Sequence, residues 1–144
     1  MKAFSLYGYN GENISITIDE VFRYPDESSY EGGYDVKCSI KIKAGGYTAT
    51  SSDFYTATGT IFRFEEDLKK CYESLKGIAK YEMWLEKNLS FNVTMTGKGH
   101  GIICGTFQEL MCRDNILKFE IETDQSFLKD TIEDIEQLKD IINN

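Results

Sequence analysis

Very little in this sequence is suited to chemistry at a buried centre. Its 144 residues include one proline, one histidine and one tryptophan. With a single imidazole, any Ser-His-Asp or Cys-His arrangement must run through His100, and no second histidine can share a metal with it. Cys38, Cys71, Cys104 and Cys112 stand singly, without the C-x-x-C pairing that sets two thiolates around a tetrahedral zinc. No apolar run approaches the roughly 18 residues that a membrane span needs. The opening Met-Lys-Ala-Phe-Ser-Leu-Tyr-Gly also lacks the apolar core of a signal peptide. These absences predict a cytoplasmic chain with four reduced, mostly buried thiols and no membrane partner. Basic residues are scarce as well: 16 lysines and arginines face 24 aspartates and glutamates, for a net charge of −8. Such a surface repels phosphate backbones, so direct nucleic-acid binding is disfavoured and a basic protein is the natural counterpart.

What the chain does have is core material in a strand-like order. A quarter of its residues are Leu, Ile, Val or Phe, which excludes disorder and suits one domain over residues 1–144. Side chains alternate from Lys2 to Tyr9 and again from Ile14 to Ile18, and Asn10-Gly11 between them accepts the positive φ of a type I′ hairpin turn. The alternation slips at Asp19-Glu20, which predicts a bulge before Val21, Phe22 and Tyr24 resume it and Tyr24-Pro25 ends the strand. Asp26 to Gly33 is polar and reads as a loop. Tyr34, Val36, Cys38, Ile40 and Ile42 give the cleanest period of two, and Gly45-Gly46 turns the chain into a fourth strand over Tyr47 to Tyr55.

The period then changes. Phe64, Leu68, Cys71, Tyr72 and Leu75 form one helical stripe, which predicts a helix over Phe62 to Lys76. Glu65, Glu66 and Asp67 are then expected in its first turn and Gly77 at its C′ position. The second half repeats the plan, with strands expected over Ala79–Glu86, Leu89–Thr96, Gly101–Met111 and Ile116–Thr123. A final helix carries Leu128, Ile132, Ile135, Leu138 and Ile142 inward and is capped by Asp124 or Ser126. The fold class is α+β: an antiparallel sheet of about eight strands, free to curl or split, with two amphipathic helices. Val36, Cys38, Ile40, Phe91, Val93, Phe119 and Ile121 are the expected core.

No residue is expected to act as a catalytic group, cofactor ligand or metal ligand. Gly97-Lys98-Gly99-His100-Gly101 lies between two strands, where it predicts a hairpin turn; a phosphate-binding loop leads from a strand into a helix. Glu120 and Glu122 share a strand face with Asp124 beyond them, which suits a solvated face. The final helix has an acidic outer side, and Asp130, Glu133 and Asp134 on it are candidate contacts for a basic partner. Tyr30 and other tyrosines near strand ends, among them Tyr24, Tyr34, Tyr47 and Tyr55, are candidate interface anchors because tyrosine buries a large area and keeps a polar tip. These features leave open a protein-binding or scaffold module and a small hydrolase with a pocket converging on His100 or on a carboxylate pair.

Three ordered stretches narrow the choice. They are Gly32-Gly33-Tyr34-Asp35-Val36, then Phe64-x3-Leu68-x2-Cys71-Tyr72-x2-Leu75-Lys76-Gly77, then Phe119-x-Ile121-x-Thr123-Asp124-Gln125-Ser126-Phe127-Leu128. In this order and spacing the chain resembles the WapI-family immunity proteins of bacterial polymorphic toxin systems from about Glu20 to Ile142, with Phe127 standing where tyrosine is the commoner residue. The resemblance implies a cytoplasmic antitoxin without cofactor or catalysis. It would bind and neutralise the C-terminal effector domain of a cognate toxin, a nuclease being one candidate.

Overall fold

The computed structural model describes residues 1–23, 28–85 and 87–143. Eight strands form two antiparallel four-stranded sheets, so the expected sheet is split. The first contains β1 (Lys2–Tyr7), β2 (Asn13–Phe22), β3 (Asp35–Ala44) and β4 (Tyr47–Ala57); the second contains β5 (Lys76–Tyr81), β6 (Leu89–Gly97), β7 (His100–Gln108) and β8 (Ile116–Asp124). Strands sit in chain order in each sheet, and each is antiparallel to its neighbour. Helix α1 (Thr58–Ser74) joins the sheets and α2 (Gln125–Ile142) ends the chain.

The apolar faces of both sheets share one continuous core, which includes all seven residues expected there. At its centre Phe4 of β1, Phe64 of α1, Tyr81 of β5 and Phe91 of β6 pack with ring centroids 5.0–6.3 Å apart. Phe54 and Phe107 extend the contact between the sheets. The helices are exchanged between the halves: α1 packs chiefly on β5 and α2 on β1. On β1, Asp134 and Thr131 of α2 satisfy an otherwise open strand edge. The Ser5 N–H donates to Asp134 Oδ2 at 3.2 Å, and Thr131 Oγ1 donates to the Ser5 carbonyl at 2.6 Å.

The expected turns are present. Asn10 (φ 61°) and Gly11 (φ 77°) reverse the chain between β1 and β2, and the β2–β3 register shifts between Ile18 and Glu20 at the expected bulge. Lys98 and Gly99, both at positive φ, make the tight turn between β6 and β7. Asp124 caps α2 by accepting from the Ser126 N–H at 3.0 Å. The expected strand stop at Tyr24-Pro25, the Asp26-Glu27 start of the loop and the strand end at Glu86 lie outside the described residues.

Several expectations need correction. Helix α1 starts at Thr58, four residues before the expected Phe62, because Thr58 is tied to β3's approach: its N–H donates to the Tyr34 carbonyl and its Oγ1 accepts from the Tyr34 N–H, both at 2.9 Å. Glu65 to Asp67 are therefore past the first turn, which has no acid. Glu65 points inward instead, fully buried, where Lys139 of α2 and Lys69 neutralise Oε1 while Oε2 has no hydrogen-bond partner among the described residues. The helix ends on Leu75, which adopts the left-handed conformation (φ 59°) and donates its N–H to Cys71, so Lys76 and Gly77 already belong to β5. Strand β5 accordingly runs over 76–81 where 79–86 was expected, and Met83 to Leu85 leave the sheet. The four cysteines are free thiols, but only Cys38 and Cys71 are buried; Cys104 and Cys112 are exposed because they stand on an outward strand position and in a loop.

Candidate functional site: an exposed aromatic cluster and an acidic helix

The loop that leads into β3 folds back on the start of α1. Ser29 donates its N–H to the Gly33 carbonyl and receives the Gly32 N–H, while its Oγ reaches Asp35 at 2.6 Å. Gly59, in the first turn of α1, donates to the Gly32 carbonyl; a Cβ there would stand 2.5 Å from the Glu31 and Gly32 carbonyl oxygens, so only glycine permits this approach. The close packing buries Glu31, which is 4% exposed despite its polar surroundings in the sequence. A buried carboxylate needs donors, and Glu31 has them. Its Oε1 accepts from the backbone N–H groups of Trp84 (2.7 Å) and Leu85 (3.0 Å), and Arg63 of α1 donates to its carbonyl and pairs with Oε2.

Glu31 thereby holds the segment after β5 against the loop, with the apolar side chains facing out. Tyr30 is 70%, Leu85 66% and Trp84 56% exposed. Tyr30 meets Trp84 edge to face at 6.0 Å, and the Arg63 guanidinium lies 4.5 Å from the Trp84 ring centre. Beside them is a cavity of about 330 Å³ with Phe22, Tyr55, Met83 and Leu85 as apolar walls and Glu31 and Asp35 as its acidic members.

The acidic helix lies elsewhere. Asp130 and Glu133 are exposed on α2, but Asp134 is half-buried, accepting from Ser5 and pairing with Lys2 at 3.2 Å. Glu136 pairs with Lys69, which holds its carboxyl below the usual range, mainly by hydrogen bonding. Asp130 and Glu133 belong to the half of α2 nearer its start, whereas the opposite end, through Ile142, meets Arg23, whose guanidinium stacks on Tyr34. Tyr30 thus packs on Trp84 after β5, whereas Asp134 of the candidate helix is tied to Lys2 and Ser5 of β1.

A family model, that of the Immunity protein WapI-like family, matches residues 5–142. The chain belongs to this family. No curated protein and no solved structure matches it. In this member of the family, His100 is exposed at the β6–β7 turn with Nδ1 3.9 Å from Asp124 Oδ2, and that aspartate is already occupied as the cap of α2. Glu120 and Glu122 are exposed on β8. Among the described residues, no group of three or more His, Cys, Asp or Glu is placed to hold a metal, and no helix is long and apolar enough to cross a membrane. A depression of about 530 Å³ on the outer face of the second sheet includes Lys80, Asn92, Cys104 and Lys118. Trp84, Leu85, Arg63 and Glu31 were not among the residues singled out by the sequence reading. One signal pointed to them: Met83-Trp84-Leu85 places three large apolar residues in a row, and a period of two cannot bury all three on one face.

Proposed function

We propose that this chain, acting as one unit over residues 1–144, is a cytoplasmic immunity protein that binds the C-terminal effector domain of a cognate toxin and blocks it without catalysis of its own. The observation that carries the reading is the family match across nearly the whole chain. The net charge of −8 supports a basic effector, such as a nuclease, whose phosphate-binding surface an acidic protein can occupy. Asp130 and Glu133 supply long-range attraction from a rigid helix. Asp134 adds charge while holding β1, and Tyr30 provides an apolar contact that charge alone does not give.

The test is to express the C-terminal domain of the toxin encoded beside this chain, with and without it. Co-expression restores growth, and the purified pair migrates as a one-to-one complex. Reversing Asp130 and Glu133 to Lys slows association and flattens its salt dependence, since charges at an interface rim act mainly on the on-rate. A wild-type chain that neither protects against that domain nor binds it overturns the reading.

A further inference from the structure

We infer that the cavity beside Tyr30 and Trp84 is a socket for one lysine or arginine side chain of the toxin's effector domain, and that Tyr30, Trp84 and Leu85 around it anchor the complex. The inference rests on the immunity reading above and assigns it a binding site. The cavity volume of about 330 Å³ accommodates a long side chain. Its walls suit an aliphatic stem, because Phe22, Tyr55, Met83 and Leu85 are apolar over most of their surface. Its acidic members suit a cationic head. Of the two carboxylates, Glu31 is already paired with Arg63, whereas Asp35 accepts from the neutral Ser29 hydroxyl and forms no ion pair among the described residues, which leaves its charge for the incoming cation. Asp53, two residues before Tyr55 on β4, is also exposed and lines a second depression that shares Tyr55 with this one. The site is therefore complementary to a basic surface.

The cluster is also built before any partner arrives. Isolated exposed apolar side chains are ordinary, but here Tyr30, Tyr55, Trp84 and Leu85 are all exposed around one cavity or against one another's rings. The backbone beneath two of them is fixed by a buried carboxylate, so binding orders little that is not already ordered. Tyrosine, tryptophan and arginine are the residue types that dominate binding energy at protein interfaces. This divides the work between two surfaces: the exposed acids of α2 speed encounter, and the socket slows dissociation.

Trp84 is the sole tryptophan, so the chain grown with 5-fluorotryptophan has one fluorine resonance. Titration with the catalytically inactivated C-terminal domain of the neighbouring toxin is expected to shift that resonance with one-to-one saturation. Trp84→Ala is expected to weaken binding about 30-fold, and Asp35→Asn about tenfold, both through faster dissociation. Both positions are exposed, and circular dichroism checks that the variants stay folded. If the wild type binds while the resonance is unmoved and both variants bind normally, the socket is overturned and the immunity reading stands. If the wild type fails to bind or protect, both fall. Sedimentation velocity is the remaining arm: self-association of the wild type that Trp84→Ala abolishes assigns the patch to a second copy of the chain and overturns the proposal.

Discussion

Residues 2–74 and 76–142 each run through four antiparallel strands in chain order and then a helix, yet the two helices are secured differently. Helix α2 has a side-chain cap at Asp124 and two side chains, Thr131 and Asp134, bonded to the edge of β1. Helix α1 begins on Ala57 with no side-chain cap and packs on β5 largely through apolar contact. Its polar anchors run instead to the loop before β3, through Thr58, Gly59 and Arg63. One helix closes a sheet edge, and the other organises the exposed aromatic cluster. The same plan thus yields one helix that covers a strand edge and one that positions an exposed cluster, and the halves differ in their cysteines too: those of the first are buried and those of the second are exposed.

The comparison breaks most visibly in the core. Leu68 of α1 and Leu128 of α2 are both fully buried, so replacing either by Ala is expected to cost about 2–5 kcal/mol. Because the halves share one core, urea unfolding should remain a single transition in both variants. Two separated transitions would show that the halves are independent.

A smaller effect tests the edge closure that only α2 provides. Thr131→Val keeps the shape and removes the donor to Ser5, with an expected loss of about 1–2 kcal/mol and faster hydrogen exchange along β1. An unchanged denaturation midpoint would leave the hydrogen bond without a role in stability.

Removing the α2 cap with Asp124→Ala should cost about 1 kcal/mol. The Ser126 N–H and hydroxyl, with smaller help from Tyr9 and His100, hold the Asp124 carboxyl below its ordinary value of 3.8. A group depressed in the folded state stabilises above its unfolded pKa and loses that contribution as pH falls through the folded one. The difference between wild type and variant should therefore be constant at neutral pH and shrink below about pH 4. A gap that widens on acidification would contradict this assignment.

The smallest perturbation leaves stability untouched. Alkylation of the native chain should reach exposed Cys112 and, more slowly, Cys104, whose thiol is pushed up by desolvation and by Glu120, and should spare Cys38, whose thiol burial pushes up to about 12. Denatured, unreduced chain should take up four additions by intact mass. Fewer than four would mean a cysteine is already blocked.

Alternation made the strands legible. In β3, apolar Val36, Cys38, Ile40 and Ile42 are interleaved with polar residues, and each is buried. The helix boundaries were less so, since Thr58-Gly59-Thr60 has strand and turn character and only the distant Tyr34 shows why a helix starts there. Glu65 looked like a helix-start acid because Lys139, which neutralises it, lies 74 residues away. Leu75 occupies a left-handed position where glycine is the usual residue, so the nearby Gly77 was a misleading stop signal. At the candidate site, Tyr30 was visible as a tyrosine in a polar loop. Glu31 was not, because its burial depends on Gly59, Arg63 and the Trp84 backbone, all brought in by the fold.

The exchange of helices also has a consequence in time. Ser5 is made well before α2, and the two side chains that close its edge arrive 126 and 129 residues later. At roughly 5–20 residues per second of synthesis, the edge of β1 is open for roughly 6–25 seconds in every new chain. During that interval it can pair with any extended strand nearby. Contacts so distant in sequence also slow the final closure.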